Sequence, residues 1–411
     1  MSLPDVRRKG WEPLPQETLI AAIEANPGDG FPWIIAPRGV APEQRINRRR
    51  MFLAFALRAT MQASLNAGGP RFASLPVPVR HRAAGTHDCW NGVREEAGED
   101  GVALWSKLED ARCSPSRLRH DLSAFSACHL GRARPDDVQL DAWATEGALV
   151  QSYWLRQGAL YEPTVALHQL LAASDVASDV PLSMLRLPSP AVCITPDPST
   201  RERAGLDAVM VFEHGNPDDP DTGRWLTFGI WKRSEAGEFR LRLQVLSANA
   251  GAGARSVDAI LSGGVGEGDG DTGKDEVSRQ ALDYAIKVLL YLSLDSSPVI
   301  HERPYSTAPR EFRGLGKRRR EERLADIERL YDRYLVGPVV LPDGLSRAAG
   351  RPEGAHHELR AHWRRGHFRM QPYGPAASQR KLIFVMPTLV RADRLGDDLG
   401  ESQATTGDIA L

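Results

Sequence analysis

Phe239-Arg240-Leu241-Arg242-Leu243-Gln244-Val245 alternates apolar and polar residues without a break. A strand throws successive side chains to opposite faces, so this pattern predicts a half-buried strand over about 238 to 246. Working outward, Arg224 to Arg233 and Asp207 to His214 read as two more strands, and Ala191 to Thr195 as a fourth, closed by Pro196 and Pro198. The intervening Gly215-Asn216-Pro217-Asp218-Asp219-Pro220-Asp221-Thr222-Gly223 can only be a loop. Together these segments predict an antiparallel meander with one wet face.

Before about residue 175 the period is helical. Leu19, Ile20 and Ile23 mark a helix over about 16 to 26. Met51, Phe52, Phe55, Ala56 and Met61 mark a stronger one over 43 to 66, with Arg45, Arg48, Arg49 and Arg50 clustered at its start. Further helices are predicted at about 115 to 128, 137 to 160 and 163 to 173. In the longest, Leu140, Trp143, Leu149, Val150, Tyr153 and Trp154 form an apolar stripe suited to core packing. Residues 68 to 100 are rich in Gly, Pro and charge and read as an irregular connection.

After the meander comes a Gly-rich stretch, 249 to 273. A helix at about 275 to 294 follows, apolar on nearly all sides from Ala281 to Leu294 and therefore buried. A second, at about 317 to 335, opens with Lys317-Arg318-Arg319-Arg320 and is amphipathic through Leu324, Ile327, Leu330, Tyr331 and Tyr334. Strands near 362 to 371 and 380 to 386 form a hairpin around Pro372-Tyr373-Gly374-Pro375. The expectation is an α+β protein. Residues 1–180 are mainly helical, 181–392 form an α+β domain whose antiparallel sheet packs on helices, and 393–411 are a polar, acidic, disordered tail.

The chain has 411 residues, 42% of them apolar and 26% charged, which describes a globular protein with a sizeable core. Its 52 basic and 53 acidic residues nearly cancel. That excludes a general nucleic-acid coat and leaves polyanion binding to local patches. Cys89, Cys113, Cys128 and Cys193 form no Cys-x-x-Cys pair and read as reduced thiols of a cytoplasmic protein. The first residues lack the apolar core of a signal peptide, and no apolar run is long enough to span a membrane.

Gly268-Asp269-Gly270-Asp271-Thr272-Gly273-Lys274-Asp275 falls one residue short of a phosphate-binding loop. Asp275 stands where a hydroxyl must reach magnesium, so no nucleotide and no cofactor is expected. His362 and His367 are five apart, on opposite strand faces, which disfavours a metal site.

The densest chemistry lies in His362-Trp363-Arg364-Arg365-Gly366-His367-Phe368-Arg369. Four of the chain's 11 histidines fall between His356 and His367. Alternation puts Trp363, Arg365, His367, Arg369 and Gln371 on one face. His362, Arg364, Gly366, Phe368 and Met370 fall on the other, where Phe368 and Met370 could meet the core. Such guanidinium density is costly unless each group is paired or exposed for use. Two readings stay open: an inward network in which Arg364 and Arg365 pair with acidic residues, or an exposed site that grips carboxylates or phosphates. The site would comprise Trp363, Arg364, Arg365, Gly366, His367, Phe368 and Arg369. RNA contact, or RNA cleavage with His362 and His367 as acid and base, is a further possibility that the opposite faces disfavour.

His362, Arg364, Arg365, Gly366, His367 and Phe368, followed by Pro387, Leu389 and Val390, resemble the C-terminal signature of the second type V-A anti-CRISPR family. Weaker likenesses fall upstream in the same order. They are Leu187-Pro188 with Ala191 to Ile194, and the helix Ile286 to Leu292 with Pro298 and Ile300. The resemblance spans about 181 to 392. It implies a non-enzymatic cytoplasmic binder, carried by a plasmid or phage, that antagonises the type V-A effector nuclease by engaging its polypeptide or lowering its production. The alternatives are an RNA-associated protein of a mobile element and a plasmid accessory protein with no CRISPR role.

Overall fold

The computed structural model describes residues 42–110, 113–130, 138–198, 201–202, 205–215, 224–233, 239–247, 256–257, 276–295, 297–340 and 362–390. Its centre is a seven-stranded sheet in the order β6-β5-β4-β3-β1-β8-β7. The strands are β1 (Ala159–Pro163), β3 (Ala191–Ile194), β4 (Leu206–Gly215), β5 (Arg224–Arg233), β6 (Phe239–Ser247), β7 (Val299–Glu302) and β8 (Arg333–Val336). The meander β3-β4-β5-β6 is antiparallel, as its sequence predicts. The sheet as a whole is mixed, because β1 runs parallel to both β3 and β8. The fold is thus α+β, as expected, and the antiparallel meander is part of a larger mixed sheet.

In β3 and β4 neither face is wet. Along β4, Val209 and Val211 point into one core, while Ala208, Met210 and Phe212 point into another. On β3, Val192 and Ile194 take the first side and Ala191 and Cys193 the second. The near-continuous apolar run of β4 is what a strand covered on both sides needs. The first face is covered by α8 (Glu276–Leu292), through Ala285, Ile286, Leu289 and Leu290, and by Leu167 and Leu171 of α7 (Val165–Ala172). The second is covered by Leu149, Val150 and Tyr153 of α6 (Val138–Leu155).

The opposite side of α6 faces a third core. There Trp143, Ala144 and Ala148 meet Leu53 and Leu57 of α1 (Pro42–Ala67), Trp90 of α3 (Thr86–Ala97), Trp105 of α4 (Glu99–Glu109) and Leu118 and Leu122 of α5 (Pro115–Leu130). Trp90 stacks on Trp143 at 5.2 Å and 13°. The apolar residues of α6 therefore serve two cores rather than one stripe.

Residues 68–100 are not an irregular connection. They fold into α2 (Val77–Ala83) and α3, and α4 begins at Glu99. The residues that suggested a loop stand at helix boundaries. Pro76 precedes α2, and Gly85 (φ 83°) and Gly98 (φ 62°) hold the left-handed turns that separate α2, α3 and α4. Proline costs little in a first helical turn, and glycine alone adopts positive φ without strain.

The expected helix over 317–335 ends early, as α9 (Lys317–Ile327), and Arg333-Tyr334-Leu335-Val336 instead form β8 between β1 and β7. Strand β1, and β2 (Ser174–Val176) of a second sheet, both come from before residue 181, the expected domain start. The helix read over 16–26, the phosphate-loop look-alike at 268–275 and the tail from 393 lie outside the described residues. Among the described residues, no helix is long and apolar enough to cross a membrane.

Candidate functional site

The expected hairpin forms, as β10 (Gly366–Tyr373) antiparallel to β11 (Gln379–Val385). The short β2 lies parallel on the other side of β10, in the order β11-β10-β2. β9 (His362–Arg364) pairs separately with β12 (Thr388–Val390). Directly opposed residues share a face. The outward face therefore carries His367 beside Val385, Arg369 beside Ile383, Gln371 beside Lys381 and Tyr373 beside Gln379.

The inward face is structural. Phe368 is fully buried and stacks on Phe384 with ring centroids 4.5 Å apart. Met370 is buried beside it. Gly366 sits where three segments converge. A Cβ there would lie 2.4 Å from Ser174 Oγ, 2.6 Å from Pro387 Cδ and 2.8 Å from the Val385 carbonyl oxygen. Its N–H donates to the Ala173 carbonyl at 3.1 Å. Of the seven candidate residues, Gly366 and Phe368 are thus explained by packing.

The arginines are not. Arg364, Arg365 and Arg369 are exposed, and His367 is half-exposed. Nη1 of Arg365 lies 3.2 Å from both carboxylate oxygens of Asp175, but the two side chains are 71% and 58% exposed. A pair so wet contributes about 0–1 kcal/mol, so it does not hold the sheet together. Arg364 corrects the alternation reading, which grouped it with Phe368. The ladder breaks at Arg365, and Arg364 belongs to the separate β9–β12 pair, opposite Thr388. The side chains of His362 and Trp363 lie outside the described set. Lys381 Nζ lies 5.7 Å from the Tyr373 ring centroid, which extends the cationic face along β11. β11 is the edge strand of its sheet.

The inward network expected of the hairpin arginines exists elsewhere, on α2. The Arg80 guanidinium, fully buried, donates to Asp207 of β4, whose other oxygen lies 2.6 Å from Arg201. His81 Nε2 lies 3.1 Å from Glu146 of α6. Burial pushes the Glu146 carboxyl up, but His81 and Arg80 pull it down further, so its net pKa is lowered. Arg82 lies over the Tyr305 ring at 3.6 Å and pairs with Glu328 at 3.3 Å. Three consecutive residues thus tie the helical layer to β4, α6 and the segment around α9. A sequence reading had one signal for them, the triplet Arg80-His81-Arg82 following a Pro-marked helix start.

Among the described residues, no group of three or more His, Cys, Asp or Glu could hold a metal ion. Burial pushes the Cys193 thiol up to about 12, opposite to what a nucleophile needs. Burial lowers His214 to about 4, holding it neutral beside Thr227 Oγ1 at 2.9 Å.

This combination describes a scaffold: a helix-covered mixed sheet that presents a cationic, partly apolar strand face. The sequence model of the AcrVA2-like family, described as the anti-CRISPR type V subtype A2 family, matches residues 161–392, and the chain belongs to that family. The match begins within β1 and runs past β12. A solved crystal structure of AcrVA2 is similar at 14% identity and a TM-score of 0.41, covering 74% of this chain and 98% of that one. No curated protein matches the chain.

Proposed function

We propose that the protein antagonises a type V-A CRISPR effector by binding the effector's own polypeptide at the outward face of the β10–β11 hairpin. It acts in the cytoplasm as a binder, without a cofactor and without catalysis. One observation carries the reading: Arg365, Arg369 and Lys381 are exposed around half-buried His367, Ile383 and Val385, next to an edge strand. An extended segment added along β11 would take backbone hydrogen bonds from the edge. The cations would read acidic side chains, and Ile383 and Val385 would supply apolar contact. Occupation of the effector polypeptide then lowers the amount or activity of the nuclease.

The test is affinity capture of a type V-A effector polypeptide by the tagged protein, with and without ribonuclease. The expected result is ribonuclease-resistant capture, weakened by about 1–3 kcal/mol in Arg369→Ala. Loss of capture on ribonuclease treatment, or full capture by Arg369→Ala combined with Arg365→Ala, would remove the hairpin from this role.

A further inference from the structure

A second charged surface lies apart from the hairpin. From Arg310 to Arg320 the chain carries six basic residues and one acidic one, although the whole chain has a net charge of −1. All six are exposed. Among the described residues, Arg318 pairs with Glu322 at 2.9 Å and Arg310 reaches Glu328 at 3.7 Å, but Arg313, Lys317, Arg319 and the nearby Arg323 make no ion pair. Lys317 to Arg320 also fill the first turn of α9, where no acidic residue offsets them and the helix dipole adds to the repulsion. The arrangement costs stability, and an anion bound there would relieve it.

The surface is held in place. Asp332 accepts from the backbone N–H groups of Tyr305 and Ser306 at 3.0 Å each and from the Ser306 hydroxyl. The Arg82 and Arg310 guanidinium groups both lie over the Tyr305 ring, at 3.6 and 4.7 Å. At its start, His301 of β7 stacks on Tyr334 of β8 at 4.1 Å and 11°, and Tyr334 stacks on Tyr161 of β1 at 5.0 Å and 19°. The strand register places the three rings in one row. Tyr161 is buried and His301 exposed, so the row ends in an open ring. The exposed large apolar side chains nearest this segment among the described residues, Val299, Ile300 and Leu330, lie at its two ends, and the cations and the open ring lie between them.

We propose that Arg313, Lys317, Arg319 and Arg323 form a track for the phosphate backbone of single-stranded nucleic acid, with a base stacking on His301. Guanidinium and ammonium groups neutralise phosphates, and a ring platform holds bases without reading sequence. The site is separate from the hairpin and does not depend on the polypeptide reading.

The test is fluorescence anisotropy of the full chain with a labelled mixed-sequence RNA of about 20 nucleotides, between about 50 and about 200 mM salt. The variant Lys317→Glu with Arg319→Glu puts acid at a helix start, which favours the helix, so its melting temperature should hold or rise. It should bind about tenfold or more weakly, with a flatter salt dependence. His301→Ala should weaken binding about fivefold with the salt dependence unchanged. Arg365→Ala should bind RNA like the parent. The proposal is overturned if the parent does not bind the RNA, if the double charge reversal binds as well as the parent, or if His301→Ala changes nothing. It is equally overturned if polyglutamate or phosphatidylserine vesicles bind the track as tightly as RNA.

Discussion

Arg80-His81-Arg82 and Arg364-Arg365-x-His367-x-Arg369 are two basic clusters of nearly the same composition with opposite fates. In the first, each side chain reaches a partner on another element: Asp207, Glu146 and the Tyr305–Glu328 pair. In the second, the arginines project from a strand, and their one ion pair among the described residues, Arg365 with Asp175, is itself exposed. The difference lies in what stands opposite. α2 is packed between α6, β4 and the α9 segment, so its cations must be matched or the helix could not be buried there. β10 commits only its inward face, Phe368 and Met370, to the core. Arg80 is committed to the molecule's own contacts, and the hairpin arginines stay exposed, which is what the proposed binding role needs.

The largest effect should come from removing the first cluster altogether. A 181–392 fragment loses α2, the α6 cover of the sheet, and β1, which joins β3 to β8. It should show no cooperative melt by circular dichroism, and a cooperative one would mean that the hairpin domain does not need the helical layer. Next, Arg80→Ala should cost about 3 kcal/mol in denaturant unfolding, the lower end for a stranded buried partner, because Arg201 still holds Asp207. A near-neutral result would put the two clusters in one class.

Burial also predicts where acid acts. His214 is depressed from 6.5 to about 4 in the folded chain by burial. The unfolded chain therefore takes up that proton first. The stabilisation is complete above about pH 6.5 and is lost as pH falls towards 4, at most roughly 3 kcal/mol over that window. His214→Gln, which retains a partner for Thr227, should flatten this part of the acid limb of a stability–pH curve. An unchanged slope would mean that other groups carry it. Smaller again, Gly366→Ala should destabilise by about 1–3 kcal/mol, because Ser174, Pro387 and the Val385 carbonyl already crowd the site. A neutral substitution would show that the segments yield, and would return Gly366 to the list of binding residues.

Much of this was legible where one chemical pattern dominates. The alternation of β6 and the apolar runs of β4 and β5 located the meander to within a residue or two. Alternation within β10 also put Phe368 and Met370 inside and Arg369 outside. It failed at Arg364 because the ladder breaks at Arg365, which no single-residue preference announces. The helices over 77–97 were hidden because Pro76, Gly85 and Gly98 are caps, and composition does not distinguish a cap from a loop. β8 was hidden because Leu330, Tyr331 and Tyr334 keep helical spacing, while the pairing with β1 and β7 is a tertiary preference that overrides it. The triplet around Arg80 gave no sign of its partner, since Asp207 lies 127 residues away.

The central claim is that the outward hairpin face is a surface for binding and not scaffold. The direct measurement is the melting temperature of Arg365→Ala with Arg369→Ala, taken beside retention of the captured effector polypeptide. The account predicts a stability change within about 0.5 kcal/mol and a loss of about 1–3 kcal/mol in binding. A variant that melts far below the parent, yet retains the polypeptide fully when folded, would contradict it.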